Sequence, residues 1–219
     1  MSLLTALRPF VAPPATRRPG RSCELCGSPL DSGHPHLADV ERRALACACR
    51  ACALLLTRSG TAAGRWRTVP DRHLSDPAFT LADLEWETLA IPVAMAFFFR
   101  SSAVSGDAAS GSTHGWTAVY PSPAGPVESL LRLDTWDRIA SRTPLSGFLE
   151  PDVEALLVTP NEEGGRDCML VPIHACYALV GRVRRQWRGL DGGEEARRAI
   201  AEHLGALRAR CSEAGAGSA

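Results

Sequence analysis

The apolar residues of this chain fall into short blocks of two kinds, and the blocks predict its elements. Val93 to Phe99 is almost continuously apolar, the pattern of a strand buried on both faces. It follows Pro92, which ends a helix predicted from Thr80 to about Leu89. In Thr80-Leu81-Ala82-Asp83 the threonine hydroxyl and the aspartate three positions on can cover free backbone amides. Trp116 to Tyr120 and Val127 to Leu131 read as short strands beside Pro121-Ser-Pro-Ala-Gly-Pro126, which reads as a turn throughout. Val153 to Val158 and Cys168 to Val171 are further strands, with turn chemistry between them at Asn161-Glu-Glu-Gly-Gly165. A helix capped by Asp134 carries Trp136 and Ile139. Another starts at His174, with Cys176, Leu179, Val180, Val183 and Trp187 at helical spacing. A last helix follows a capping box at Asp191-Gly-Gly-Glu194, with Ile200, Leu204, Leu207 and Cys211 as its stripe. Short strands joined by turns, with helices between and after them, predict an α+β domain over residues 65–211, a mainly antiparallel sheet with packed helices.

The ends and joints are polar or small. Residues 1–21, rich in Pro, Arg and Thr, read as a flexible lead-in, residues 59–64 as a linker, Ser101 to Thr113 as a small-residue loop, and residues 212–219 as a disordered tail. No stretch approaches the roughly 18–20 apolar residues that span a bilayer. Leu3 to Leu7 is too short for the apolar core of a secretory signal. The expected location is therefore the cytoplasm, where closely spaced cysteines hold metal more often than they form disulfides.

Composition removes several classes of function. The 219 residues are 45% hydrophobic with a formal net charge of zero, which gives no bulk electrostatic pull toward nucleic acid or an anionic membrane. All 24 basic residues are arginine. Without lysine, neither a phosphate-binding loop of the Walker type nor a pyridoxal Schiff base can be built. Arg182, Arg184, Arg185 and Arg188 gather near the end of a helix, where the helix dipole favours cations, and read as a solvated face. The five tryptophans are spread along the chain as core anchors rather than as a stacking platform.

The residues with distinctive chemistry lie in a cysteine-rich module, residues 22–58. Cys23-Glu-Leu-Cys26-Gly27 is followed by His34-Pro-His36 and then by Cys47-Ala-Cys49-Arg-Ala-Cys52. Two Cys-x-x-Cys pairs separated by an insert long enough for a small hairpin are the spacing with which a zinc ribbon or treble-clef knuckle surrounds one ion. Cys23, Cys26, Cys49 and Cys52 are the first choice of ligands, with Cys47, His36 and His34 as substitutes for one of them. The second pair is expected at a helix start, in Ala51-Cys52-Ala53-Leu54-Leu55-Leu56. Zn2+ is the expected ion; an iron–sulfur cluster is the alternative, because Cys47, Cys49 and Cys52 are crowded enough to serve it. A module this short cannot bury enough apolar area to fold alone, and coordination on the order of 10 kcal/mol supplies the difference. Four protein ligands leave zinc no position for water or substrate, so the site reads as structural and no catalytic residue is assigned. Cys168, His174 and Cys176 lie close in sequence and would make a nucleophile or a second metal site, but Cys176 sits on an apolar stripe and Cys168 in a strand, which assigns them to the core. His73, His114 and His203 stand apart from one another and read as surface or loop residues.

Cys23 to Gly27, Leu45 to Leu56, Val69-Pro-Asp-Arg72, Ile91-Pro-Val93, Ala96 to Ser102, Tyr120 to Gly125, Glu150 to Leu157, Trp187-Arg-Gly189 and Gly192-Gly-Glu194 together resemble a family of uncharacterised actinobacterial proteins encoded beside uptake nickel–iron hydrogenases. The resemblance runs from about Arg21 to Arg210. It implies a partner context: hydrogenase subunits or maturation factors served by a zinc-binding accessory or assembly protein. An iron–sulfur electron carrier for the same system is the alternative, and a zinc-dependent nucleic-acid-binding regulator the next.

Overall fold

The computed structural model describes residues 22–58, 64–102, 115–129, 133–188 and 192–214. The predicted lead-in, most of the predicted linker, residues 103–114 and the end of the predicted tail lie outside them. No helix among the described residues is long and apolar enough to cross a membrane.

A seven-stranded sheet forms the centre. Its strands are β4 (Leu74–Ser75), β5 (Ala96–Arg100), β6 (Trp116–Ser122), β7 (Gly125–Ser129), β8 (Glu154–Pro160), β9 (Arg166–Pro172) and β10 (Ser212–Glu213), in the order β10-β4-β9-β8-β5-β6-β7. Every pairing is antiparallel except β10 with β4, so the fold is α+β with a mainly antiparallel sheet.

The central strands are apolar on both faces because both faces are covered. Alternate residues point to opposite sides of a strand. Ala96 and Phe98, Leu156 and Val158, and Cys168 and Leu170 enter one core; Phe97 and Phe99, Ala155 and Leu157, and Met169 and Val171 enter the other. The first core is closed by helices α2 (Asp83–Thr88), α3 (Leu133–Ala140) and the short α4 (Leu145–Phe148), through Trp86, Trp136, Ile139 and Leu145. Trp136 is fully buried, stacked on Phe98 at 3.4 Å and met edge-on by Trp116 at 5.9 Å. The second core is closed by α5 (Ile173–Gln186) and α6 (Gly193–Arg210), through Ile173, Cys176, Leu179, Val180, Leu204 and Leu207.

Residues 22–58 hold a small module. Its strands β1 (His36–Asp39) and β2 (Ala44–Cys47) form a hairpin, and helix α1 (Arg50–Thr57) follows. Strand β3 (Trp66–Thr68) pairs with the other side of β1, making the three-stranded order β2-β1-β3. Ala38, Leu45 and Val69 pack with the second core of the large sheet, which seats the module on that face. Arg67 donates to the Pro151 carbonyl at 2.7 Å. Arg72 grips the buried Glu154 carboxylate with Nε at 3.0 Å and Nη2 at 2.6 Å.

Several local expectations change. Pro121 and Pro126 are not turn residues: they face each other across a hairpin whose loop is only Pro123-Ala124, and β7, at the sheet edge, tolerates a proline. Helix α2 starts at Asp83, and it is the Glu85 carboxylate that accepts the Ala82 N–H, at 3.2 Å. Asp134 lies inside α3 rather than at its cap. Helix α6 is preceded by Gly192 at φ +81°, without a side-chain cap. Ser212 and Glu213 are not tail but β10. Trp86, Trp116 and Trp136 anchor one core, whereas Trp66 and Trp187 are partly exposed.

Candidate metal centre

The first cysteine pair is set by a tight turn. Ser22 bridges Pro29, the Cys23 N–H donates to the Ser28 carbonyl at 2.7 Å, and the Gly27 N–H donates back to the Cys23 carbonyl at 2.8 Å. Gly27 sits at φ +81°, in the left-handed region that glycine enters without strain. The second pair is set by a helix start: Cys49 is the N-cap of α1 and its Sγ accepts the Cys52 N–H at 3.4 Å. The two halves are tied together where the Glu24 N–H reaches the Cys47 carbonyl at 2.9 Å and the Cys47 N–H reaches the Glu24 carboxylate at 2.6 Å. Beneath them lies a core of only Cys23, Leu37, Ala48 and Ala53, flanked by Leu30, Leu56 and Trp66.

The sulfurs of Cys23, Cys26, Cys49 and Cys52 all lie within 4.8 Å of one another, with Cys26 and Cys49 3.7 Å apart. Cys23 is buried and Cys26 exposed, so the group opens toward the surface on one side. Burial opposes a thiolate at Cys23, but the backbone N–H groups of Cys49, Cys26 and Leu25 turn toward its sulfur and bring its pKa below the ordinary value. The Ser28 hydroxyl and amide bring Cys26 down to about 6, while hydrogen bonding to Cys26, followed by burial, pushes Cys52 up to about 12. Four sulfurs this close cannot all ionise unless a cation joins them. The set can hold a metal such as zinc or an iron–sulfur cluster.

His34, His36 and Cys47 form a second group, whose donor atoms also lie within 4.8 Å of one another. His36 and Cys47 are cross-strand partners in the β1–β2 register, and His34, two residues before His36, brings its ring to 4.8 Å from that of His36. The His34 Nδ1 is 2.7 Å from the Asp31 carbonyl, and its Nε2 is buried with no hydrogen-bond partner among the described residues. Burial, then the Glu24 carboxylate and the Cys23 sulfur, raise the Cys47 pKa.

His174 belongs to neither neighbour that its sequence position suggests. Cys168 lies in the first core and Cys176 in the second, on opposite faces of the sheet, and burial pushes both thiols up. At the start of α5, His174 instead stacks flat on His36, with ring centres 4.1 Å apart and planes within 2°. Burial and the neighbouring His36 lower its pKa to about 4. His73 is buried rather than on the surface, and Arg210 and Asp71 are its charged neighbours. His174 is the one polar side chain in the run Val171 to Cys176, which marks it as a residue in need of a partner but does not say which.

Fold and site together define an α+β protein with a compact four-cysteine metal-binding candidate seated on one face of its sheet. The chain belongs to the family of unknown function DUF5947, whose model matches residues 22–211. No curated protein and no solved structure matches it.

Proposed function

We propose that this protein is a zinc-binding, non-enzymatic accessory or assembly protein of the cytoplasm, with Cys23, Cys26, Cys49 and Cys52 as ligands of a structural zinc. The observation that carries the reading is the convergence of four sulfurs from a glycine-assisted turn and a helix start, with backbone N–H groups turned toward them. Such a site closes its coordination sphere and stabilises a module whose own core is four residues. A protein partner is supported by Leu25, Leu54 and Leu55, which this small module leaves exposed, with Leu54 at 62%. The resemblance to proteins encoded beside nickel–iron hydrogenases makes hydrogenase subunits or maturation factors the partners to test first.

The test is elemental analysis of protein purified without added metal and passed over a weak chelator. About one tightly held zinc per chain is expected, lost in Cys23→Ser and in Cys26→Ser. Full retention in either variant refutes the ligand set. A brown protein carrying iron and sulfide replaces this reading with the electron carrier.

A further inference from the structure

We propose that His34, His36 and Cys47 form a second metal site, separate from the four-cysteine site, which takes an exchangeable borderline divalent ion such as Zn2+ through three protein donors. This goes beyond the structural zinc and rests on other residues.

Four features of the group fit a metal site better than a chance meeting of polar side chains. The strand register fixes two donors opposite each other, His36 against Cys47, and the third follows from the two-residue step back to His34. His34 is oriented as a metal-bound histidine is: one ring nitrogen lies against a backbone carbonyl, the Asp31 oxygen at 2.7 Å, so the other presents its lone pair. That other nitrogen, Nε2, is buried with no partner among the described residues, which carries a cost unless something accepts it. His174, flat against His36, fixes the plane of a donor ring from a different element.

Two imidazoles and one thiolate suit zinc and its borderline neighbours rather than calcium or magnesium, which take oxygen ligands. Three protein donors leave a tetrahedral ion one position for water or a small anionic ligand, the coordination of exchangeable and catalytic sites rather than closed ones. The ion is therefore held more weakly than the one among four thiolates.

The test is a Zn2+ titration of the metal-stripped, reduced, full-length chain against a chromophoric chelator. Wild type is expected to take up about two equivalents, one tight and one weaker. His34→Ala, in the segment before β1, and Cys47→Ser are each expected to abolish the weaker equivalent and retain the tight one. Saturation at one equivalent in wild type overturns the proposal. So does a second equivalent that survives both substitutions, or loss of the tight equivalent in either. Failure of the four-cysteine reading looks different: the tight equivalent is then absent from wild type.

Discussion

Replacing Arg72 with alanine tests how the small module is fastened to the large sheet. Arg72 follows β3, the strand the module shares, and its guanidinium donates two hydrogen bonds to the Glu154 carboxylate, which among the described residues also accepts the Glu150 N–H at 2.9 Å. Glu154 is 0% exposed, so Arg72→Ala leaves a buried carboxylate with one donor. Breaking a buried pair from one side costs about 3–5 kcal/mol. The Arg72 side chain is 37% exposed, so water can enter the gap, and the lower end, about 3 kcal/mol, is the expected loss. Against a total stability of roughly 5–15 kcal/mol this is a large fraction. The assay is urea unfolding followed by tryptophan fluorescence, for which Trp86, Trp116 and Trp136 report on the first core. The double variant Arg72→Ala/Glu154→Leu removes both charges and is expected to be more stable than Arg72→Ala alone. A loss below about 1 kcal/mol, or a double variant no more stable than the single one, refutes the reasoning.

Other outcomes follow from the same geometry. Trp136→Ala removes the fully buried ring stacked on Phe98 and should cost about 3–5 kcal/mol, read as a lower urea midpoint. Gly192→Ala puts a Cβ 2.9 Å from the Trp187 ring at a left-handed backbone angle; a loss of about 1–3 kcal/mol in the same assay is expected. Burial holds the His73 pKa below its ordinary 6.5, so the neutral ring contributes stability that is present above that pH and lost as the pH falls through the folded value. The stability advantage of wild type over His73→Leu should therefore shrink between pH 7 and pH 5, and an advantage independent of pH would contradict the burial argument. Stripping metal should speed amide exchange in β1, β2 and α1 well before β8 and β9, which are held by the two cores; uniform protection throughout would contradict the metal's role in the module.

What the sequence made legible was what short-range spacing controls. The Cys-x-x-Cys pairs come together because a turn and a helix start need only a few residues to form, and of the apolar run Val93 to Phe99 the part from Ala96 on lies in a strand covered on both sides, while Val93 to Met95 precede it. The grouping of His34 and His36 with Cys47 could not be read, because it depends on which residues a hairpin pairs, and spacing alone allowed any of the three to substitute in the first site. His174 reached His36 only through the packing of α5 against the module, a contact without any local signature. Strands β4 and β10, two residues each, have no periodicity to detect. At Pro121 to Pro126 turn chemistry overrode the strand pattern in the reading, while in the chain Pro126 sits on the edge strand β7 and Pro121 beyond the residues of β6 that pair with β5.

The strand order also sets a timetable. β4, at residues 74–75, finds its neighbours only in β9, at 166–172, and in β10, at 212–213, so that edge of the sheet stays open until distant parts of the chain have been made and brought back. The four converging cysteines instead all lie between residues 23 and 52. As the chain emerges during synthesis, the four-cysteine loop can close before any of the large sheet can form. Closure of that loop is thereby placed at the beginning of folding, and the later sheet assembles against a module that is already built.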